Sequence, residues 1–180
     1  MPRYAAFLRG VNLGRNRRIT NERLRGALED LGYADVATFR ASGNVVFDPG
    51  SGEDTKAIRD RVEAGLAESL GFEVVVFLRS AGQVKAIAAR RPFPEDAPER
   101  PAGKAQVALL RGRPGRRARE AALELATEED PLAIEGSELH WLPSCRMSES
   151  ELDLKALESL LGPWTMRTMG TIEQIAVRYL

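Results

Sequence analysis

One cysteine, Cys145, and one histidine, His140, are all that this chain of 180 residues holds of either type. A single cysteine excludes an internal disulfide and a thiolate zinc cage. A single histidine leaves little room for a histidine-rich metal site or a histidine-based catalytic triad. Aromatic residues are only 6% of the chain. No apolar run approaches the ~18 residues that cross a bilayer. The apolar stretch in "MPRYAAFLRG" is too short for a signal peptide, so a cytoplasmic location is expected. Two phosphate-binding signatures are also missing. Nothing matches G-x-x-x-x-G-K-[ST] or G-x-G-x-x-G, so neither a Walker loop nor a dinucleotide fingerprint is read, and no cofactor is expected.

What is present is an ordinary balance for a folded domain, 43% apolar and 29% charged, with 26 basic and 26 acidic residues. The charge is unevenly placed. Residues 80–120 carry ten basic and four acidic side chains, and residues 121–163 carry two basic and ten acidic ones. Such segments either face each other, face water, or orient a partner.

The periodicities give an order of elements. "RYAAFLR" (3–9) reads as a strand, followed by a loop over residues 10–18. A helix from about Asn21 to Leu31 follows, capped by Thr20, with Leu24, Ala27, Leu28 and Leu31 on one face and Gly32 as its stop. "DVATFRA" and "VVF" form a hairpin through "SGN". Asp54 opens a second helix with Ile58, Val62, Leu66 and Leu70 inward and Gly71 as terminator. "FEVVVFLR" is a fourth strand. Ser80 and Gln83 form a capping box for a connecting helix ending near Arg90. "RPFPEDAPERPAG" is a proline-rich linker. The pattern then repeats: strand "KAQVALLRG", helix 116–127, and hairpin "LAIEGSELHWL" turning at Gly136–Ser137. A helix opened by Ser148 and Glu151 runs through Leu161. "WTMRT" is a short strand, and Thr171 and Gln174 cap a final helix. "AFLRG" (Ala6–Gly10) is echoed by "ALLRG" (Ala108–Gly112). The fold class is α+β: two ferredoxin-like βαββαβ-type subdomains related by internal duplication, with antiparallel sheets and helices packed on them. The boundaries are 1–91 for the first with its connecting helix, 92–103 for the linker, and 104–180 for the second.

This topology predicts where a ligand would sit. In a βαββαβ sheet the loop after the first strand and the turn after the second lie at one end. Arg9, Asn12 and Gly14 therefore fall near Arg40, Ser42, Gly43 and Asn44. Glycine lets backbone N–H groups approach an anion, and arginine offers a planar fork for phosphate or carboxylate. Two readings stay open for this cluster: a site for a small anionic ligand, or turns in which Asn12 and Asn44 bond their own backbone. Arg15, Arg17 and Arg18 read as a solvated rim.

Other candidates are weaker. Cys145 has Arg146 beside it but reads as an ordinary small residue. His140 lies in an alternating strand, where a half-exposed position is expected. Ser80, Ser148 and Thr171 read as helix caps rather than nucleophiles. Glu128, Glu129 and Asp130 precede a proline and read as loop, not as an acid–base pair. The central "NVVFD" strand lacks the aromatic alternation of an RNA-binding sheet, and the sequence pI near 6.6 argues against a general nucleic-acid binder.

"RYAAFLRGVNLG", "ATFRASGNVVF" and "SELDLKALESLLGPWTMRTMGTIEQIA" together resemble a bacterial family, domain of unknown function 1697, over essentially the whole chain. The resemblance implies an α+β protein with two related subdomains and brings no activity, substrate or cofactor. The chain departs from the family pattern at Arg15, at Glu151 and at residues 168–170, and keeps Arg167 and Thr171. Arg167 thereby joins the expected binding residues. The resulting expectation is a small-anion binder at the end of the first sheet. An enzyme acting on such a ligand, or a protein or RNA interaction module, are the alternatives.

Overall fold

The computed structural model describes residues 3–12, 18–41, 43–50, 52–94 and 103–180. The chain divides into two compact units, residues 1–87 together with 174–180, and residues 88–173. The last seven residues therefore group with the first unit, a different partition from a cut at the linker. Residues 95–102 of that linker lie outside the described residues.

The first sheet contains β1 (Tyr4–Arg9), β2 (Ala34–Thr38), β3 (Asn44–Asp48) and β4 (Val75–Ser80), in the order β2-β3-β1-β4. All its pairings are antiparallel. The central strands are β1 and β3, and every residue of β3 is buried. One sheet face, with Ala6, Leu8, Val45, Phe47, Val76 and Leu78, meets α1 (Asn21–Asp30) and α2 (Thr55–Leu70). Leu24 and Leu28 of α1 and Ile58, Val62 and Leu66 of α2 complete this core. The i, i+4 spacing on α2 stacks its apolar side chains on one stripe, so burial of that stripe rather than intrinsic propensity holds the helix. Both helices start as the sequence predicts. Thr20 Oγ1 accepts from Arg23 N at 3.2 Å, and Asp54 Oδ1 accepts from Ala57 N at 2.8 Å. Gly71 closes α2 at φ 78°, a left-handed cap that glycine adopts without a Cβ clash.

The second sheet contains β5 (Gln106–Leu110), β6 (Leu132–Glu135), β7 (Glu138–Trp141) and β8 (Trp164–Thr168), ordered β6-β7-β5-β8. With β5 in the place of β1, this is the same order. Helices α4 (Arg116–Leu123) and α5 (Leu154–Leu161) follow at the places of α1 and α2. Leu8 N donates to Gly43 O, and Leu110 N donates to Ser137 O, at equivalent hairpins. Each last strand leads directly into a helix, α3 (Ala81–Ala89) after β4 and α6 (Met169–Tyr179) after β8. The first N–H of each bonds back beside the first strand of its sheet, Ala81 to Arg3 and Met169 to Ala105. Two halves built alike to this depth fit the duplication read from "AFLRG" and "ALLRG".

In the second half α4 begins at Arg116 as expected, while the starts of α5 and α6 differ from expectation. Ser80 and Gln83 make the predicted reciprocal box, Ser80 N to Gln83 Oε1 at 2.8 Å and Gln83 N to Ser80 Oγ at 3.3 Å. Ser148 and Glu151 do not open α5. That helix begins at Leu154 with Asp153 as its cap, accepting from Ala156 N at 2.9 Å. The hydroxyl that matters nearby is Ser150, which donates to the buried carboxylate of Asp130. Thr171 is likewise inside α6, and its N–H is accepted by Thr168 Oγ1 at 3.2 Å.

Candidate functional site

The loop after β1 and the β2–β3 turn meet at one end of the first sheet, as the topology requires. Gly10 and Asn12 both take left-handed backbone, at φ 79° and 60°, and turn the chain sharply out of β1. Asn12 then ties the end together. Its Nδ2 donates to Ala41 O in the facing turn, and its Oδ1 accepts from Ile19 N at 2.9 Å. Asn44 is fully buried, and its Nδ2 donates to Phe39 O at 3.0 Å. Both asparagine amides thus close turns. Gly43 sits at φ 70°, and a Cβ there would lie 2.7 Å from Val11 Cγ2. Its glycine serves both backbone shape and close approach. Gly14 and Ser42 lie outside the described residues, as do Arg15 and Arg17.

The arginines behave differently from the asparagines. Arg9 ends β1 opposite Val75 of β4. Arg40 is exposed and held at φ 57°, unusual for a side chain with a Cβ. Its guanidinium carbon lies 5.2 Å from the centre of the Phe39 ring. The guanidinium of Arg178, near the C-terminal end of α6, lies 5.8 Å from the same ring. Tyr179 meets Phe39 edge-on at 6.1 Å. The segment is fixed by Arg3 Nη1, which donates to Tyr179 O at 2.6 Å, and Arg40 Nη2 reaches Gln174 Oε1 at 3.4 Å. Among the described residues, no carboxylate forms an ion pair with Arg40 or Arg178. Arg178 and Phe39 were absent from the sequence expectation. No local pattern announces them, because their meeting depends on where the last turn of the chain returns.

Arg167 belongs to the second unit. Its Nη1 donates to Thr165 Oγ1 and Met166 O, both at 2.8 Å. Burial pulls its guanidinium down to about 10. It stands in β8 opposite Val107 of β5, and Val107 in turn stands opposite His140 of β7. Cross-strand partners share a face, so Arg167 and His140 lie on one side of the second sheet.

His140 itself overturns the half-exposed expectation. It is 1% exposed, and neither ring nitrogen has a hydrogen-bond partner. It lines a cavity of about 270 Å³ with Arg91, Pro92, Phe93, Met169 and Glu173. Desolvation, helped by the charge of Arg90, holds its pKa below the ordinary value. Cys145 lines a separate cavity, of about 600 Å³, with Asp130 and Ser150. Asp130, read from sequence as loop, is a buried acceptor for Trp141 Nε1 at 2.8 Å and Ser150 Oγ at 2.9 Å. Among the described residues, no group of three His, Cys, Asp or Glu side chains is placed to hold a metal ion. Among the same residues, no helix is long and apolar enough to cross a membrane.

No curated protein matches the chain. Among solved structures it is similar to a conserved bacterial protein from Streptococcus pneumoniae, with a TM-score of 0.75 and 22% identity. The similarity covers 97% of this chain and 96% of that one. At that identity the likeness is one of fold. The family model described as "Protein of unknown function (DUF1697)" matches residues 1–140, and the chain belongs to that family.

Proposed function

We propose that this protein binds a small anionic ligand, bearing phosphate or carboxylate, at the end of the first sheet. The observation that carries the reading is the pair of guanidinium groups of Arg40 and Arg178 beside Phe39, neither in an ion pair with a carboxylate among the described residues. Arginine presents a planar fork that matches two oxygens of a phosphate or carboxylate. Arg9 supplies a third positive charge from the end of β1. Asn12, Gly43 and Asn44 shape the two turns that carry these groups, and act on the ligand by positioning. Gly14 and Ser42 fall within the same turns by sequence. Arg167, in the second unit, is left out of the charge-binding group because its Nη1 already serves its own strand.

Calorimetric titration with inorganic phosphate, pyrophosphate and citrate tests the reading. At least one of the three binds the intact chain, with affinity that falls as salt is raised. Each charge-assisted hydrogen bond contributes roughly 1.5–3 kcal/mol. Replacing Arg40 and Arg178 together by Ala therefore weakens binding by at least a hundredfold. Binding that survives the double substitution unchanged would show that the site lies elsewhere.

A further inference from the structure

The two halves of the chain can be compared position by position, because their registers match. Val46 of β3 stands opposite Ala5 of β1, and His140 of β7 stands opposite Val107 of β5. With "AFLRG" and "ALLRG" in register, Val46 and His140 occupy the same place in the two sheets. Both are 1% exposed. The fold therefore takes valine at this position without difficulty, and nothing in the backbone calls for a polar ring. Placing an imidazole there, with neither nitrogen bonded, incurs the desolvation penalty of a donor and an acceptor and recovers none of it inside the protein.

We propose that the cavity beside His140 in the second unit is a binding site for a small neutral molecule that has an apolar body and an amide-type group, the amide facing the imidazole. The site is separate from the anion site proposed above, and its residues all lie between positions 88 and 173. Three observations define the ligand class. A neutral imidazole carries one donor and one acceptor on nitrogens that point apart, and an amide, having both a donor and an acceptor, can answer either one. Pro92, Phe93 and Met169 give the cavity an apolar wall. The charge that acts on the ring, Arg90, is already matched. Arg90 is held by Glu135 at 3.2 Å and by Glu138, and Arg91 faces Glu173 at 3.8 Å. An anion taken up by Arg90 would have to displace Glu135 or Glu138, whereas a neutral molecule leaves that pairing intact. At about 270 Å³ the cavity is just below the range of roughly 300–1,000 Å³ that suits drug-sized ligands, so its occupant is smaller.

His140 is the only histidine in the chain, so its ring resonances report on the cavity without assignment ambiguity. Benzamide, nicotinamide and 2-pyrrolidone are titrated into the intact protein near pH 8 while the His140 ring nitrogens are followed by NMR. At least one of them shifts the ring resonances saturably. Benzoate, the charged counterpart of benzamide, binds at least tenfold more weakly. His140→Val, which installs the residue of the first half, remains folded and binds the same probe about tenfold more weakly by calorimetric titration, as loss of a buried hydrogen bond requires. Met169→Trp fills the cavity and abolishes the shift while leaving the histidine in place to report. Ring resonances that no probe moves would mean that water alone answers His140, and the proposal fails. It fails equally if benzoate binds as well as benzamide, or if both substitutions leave the affinity unchanged.

Discussion

Desolvation first, and the Arg90 charge second, hold the His140 imidazole below its ordinary value near 6.5, against the weaker opposing pull of Glu135 and Glu138. The direction fixes the effect on stability. The folded pKa is the lower one, so as pH falls through about 6.5 the unfolded chain takes up the proton before the folded chain does. Stability contributed by neutral His140 is complete above about pH 7 and is lost between 6.5 and the folded pKa. Urea unfolding at a series of pH values between 7.5 and 5 checks this. The wild type loses stability across that range, and His140→Val flattens the part of the slope due to this group. An equal slope in both proteins would assign the pH dependence to other residues. Arg40 offers a second contrast at this scale. Its left-handed backbone costs roughly 1–2 kcal/mol for a residue with a Cβ, and glycine removes that cost while adding roughly 0.5–1 kcal/mol of unfolded-chain entropy. Arg40→Gly therefore leaves the melting temperature unchanged or slightly raised while weakening anion binding by about tenfold or more. A large loss of stability would show that the side chain of Arg40 holds the turn together.

At the level of elements, local signals and long-range ones divide cleanly. Ser80 and Gln83 were legible because both partners of the box lie three residues apart and nothing competes for them. The stripe on α2 was legible because one face of one helix contains it. Ser148 and Glu151 show the same spacing, yet Asp153 caps the helix and Ser150 reaches back twenty residues to Asp130. A spacing rule cannot weigh that partner. His140 departs from the strand's alternation for a related reason. Alternation along β7 predicts a half-wet strand, but all four of its residues are buried. The meeting of the β1 loop with the β2–β3 turn followed from topology alone, while Arg178 could not be placed until the end of the chain was. Gly43 combines both kinds of information. Its φ of 70° was foreseeable in a tight turn, but its closeness to Val11 and Leu8 was not. Gly43→Ala adds left-handed strain to a contact of 2.7 Å with Val11, and costs about 2 kcal/mol or more. Chemical denaturation measures it. A change below about 0.5 kcal/mol would mean the hairpin relaxes freely around the new methyl group.

Across the whole chain, the uneven charge distribution finds part of its explanation inside the second unit. Arg90, from the basic stretch 80–120, is bound to Glu135 and Glu138, from the acidic stretch 121–163, and so anchors the β6–β7 hairpin. Arg116, from the same stretch, behaves as ordinary surface charge. Arg116 pairs with Glu120 one helical turn away, with both side chains largely in water, 88% and 56% exposed. The two pairs have similar chemistry and very different surroundings, and the surroundings decide their worth. An exposed i, i+4 pair contributes roughly 0.3–0.5 kcal/mol and is screened by salt. Removing Arg90 takes the guanidinium away from Glu138, only 5% exposed, whose carboxylate then keeps the Ser137 hydroxyl at 3.0 Å but no opposing charge from Arg90, at a cost of about 3 kcal/mol. That figure is the lower end of the usual range, because Arg90 keeps a quarter of its side chain in water. Arg90→Ala should therefore lower stability several times more than Arg116→Ala, and 1 M salt should leave most of the Arg90 effect in place. Matched urea titrations of the two variants at low and high salt measure both differences. Equal small effects from the two substitutions would mean that the hairpin stands without its ion pairs and that the charge asymmetry is a property of the surface.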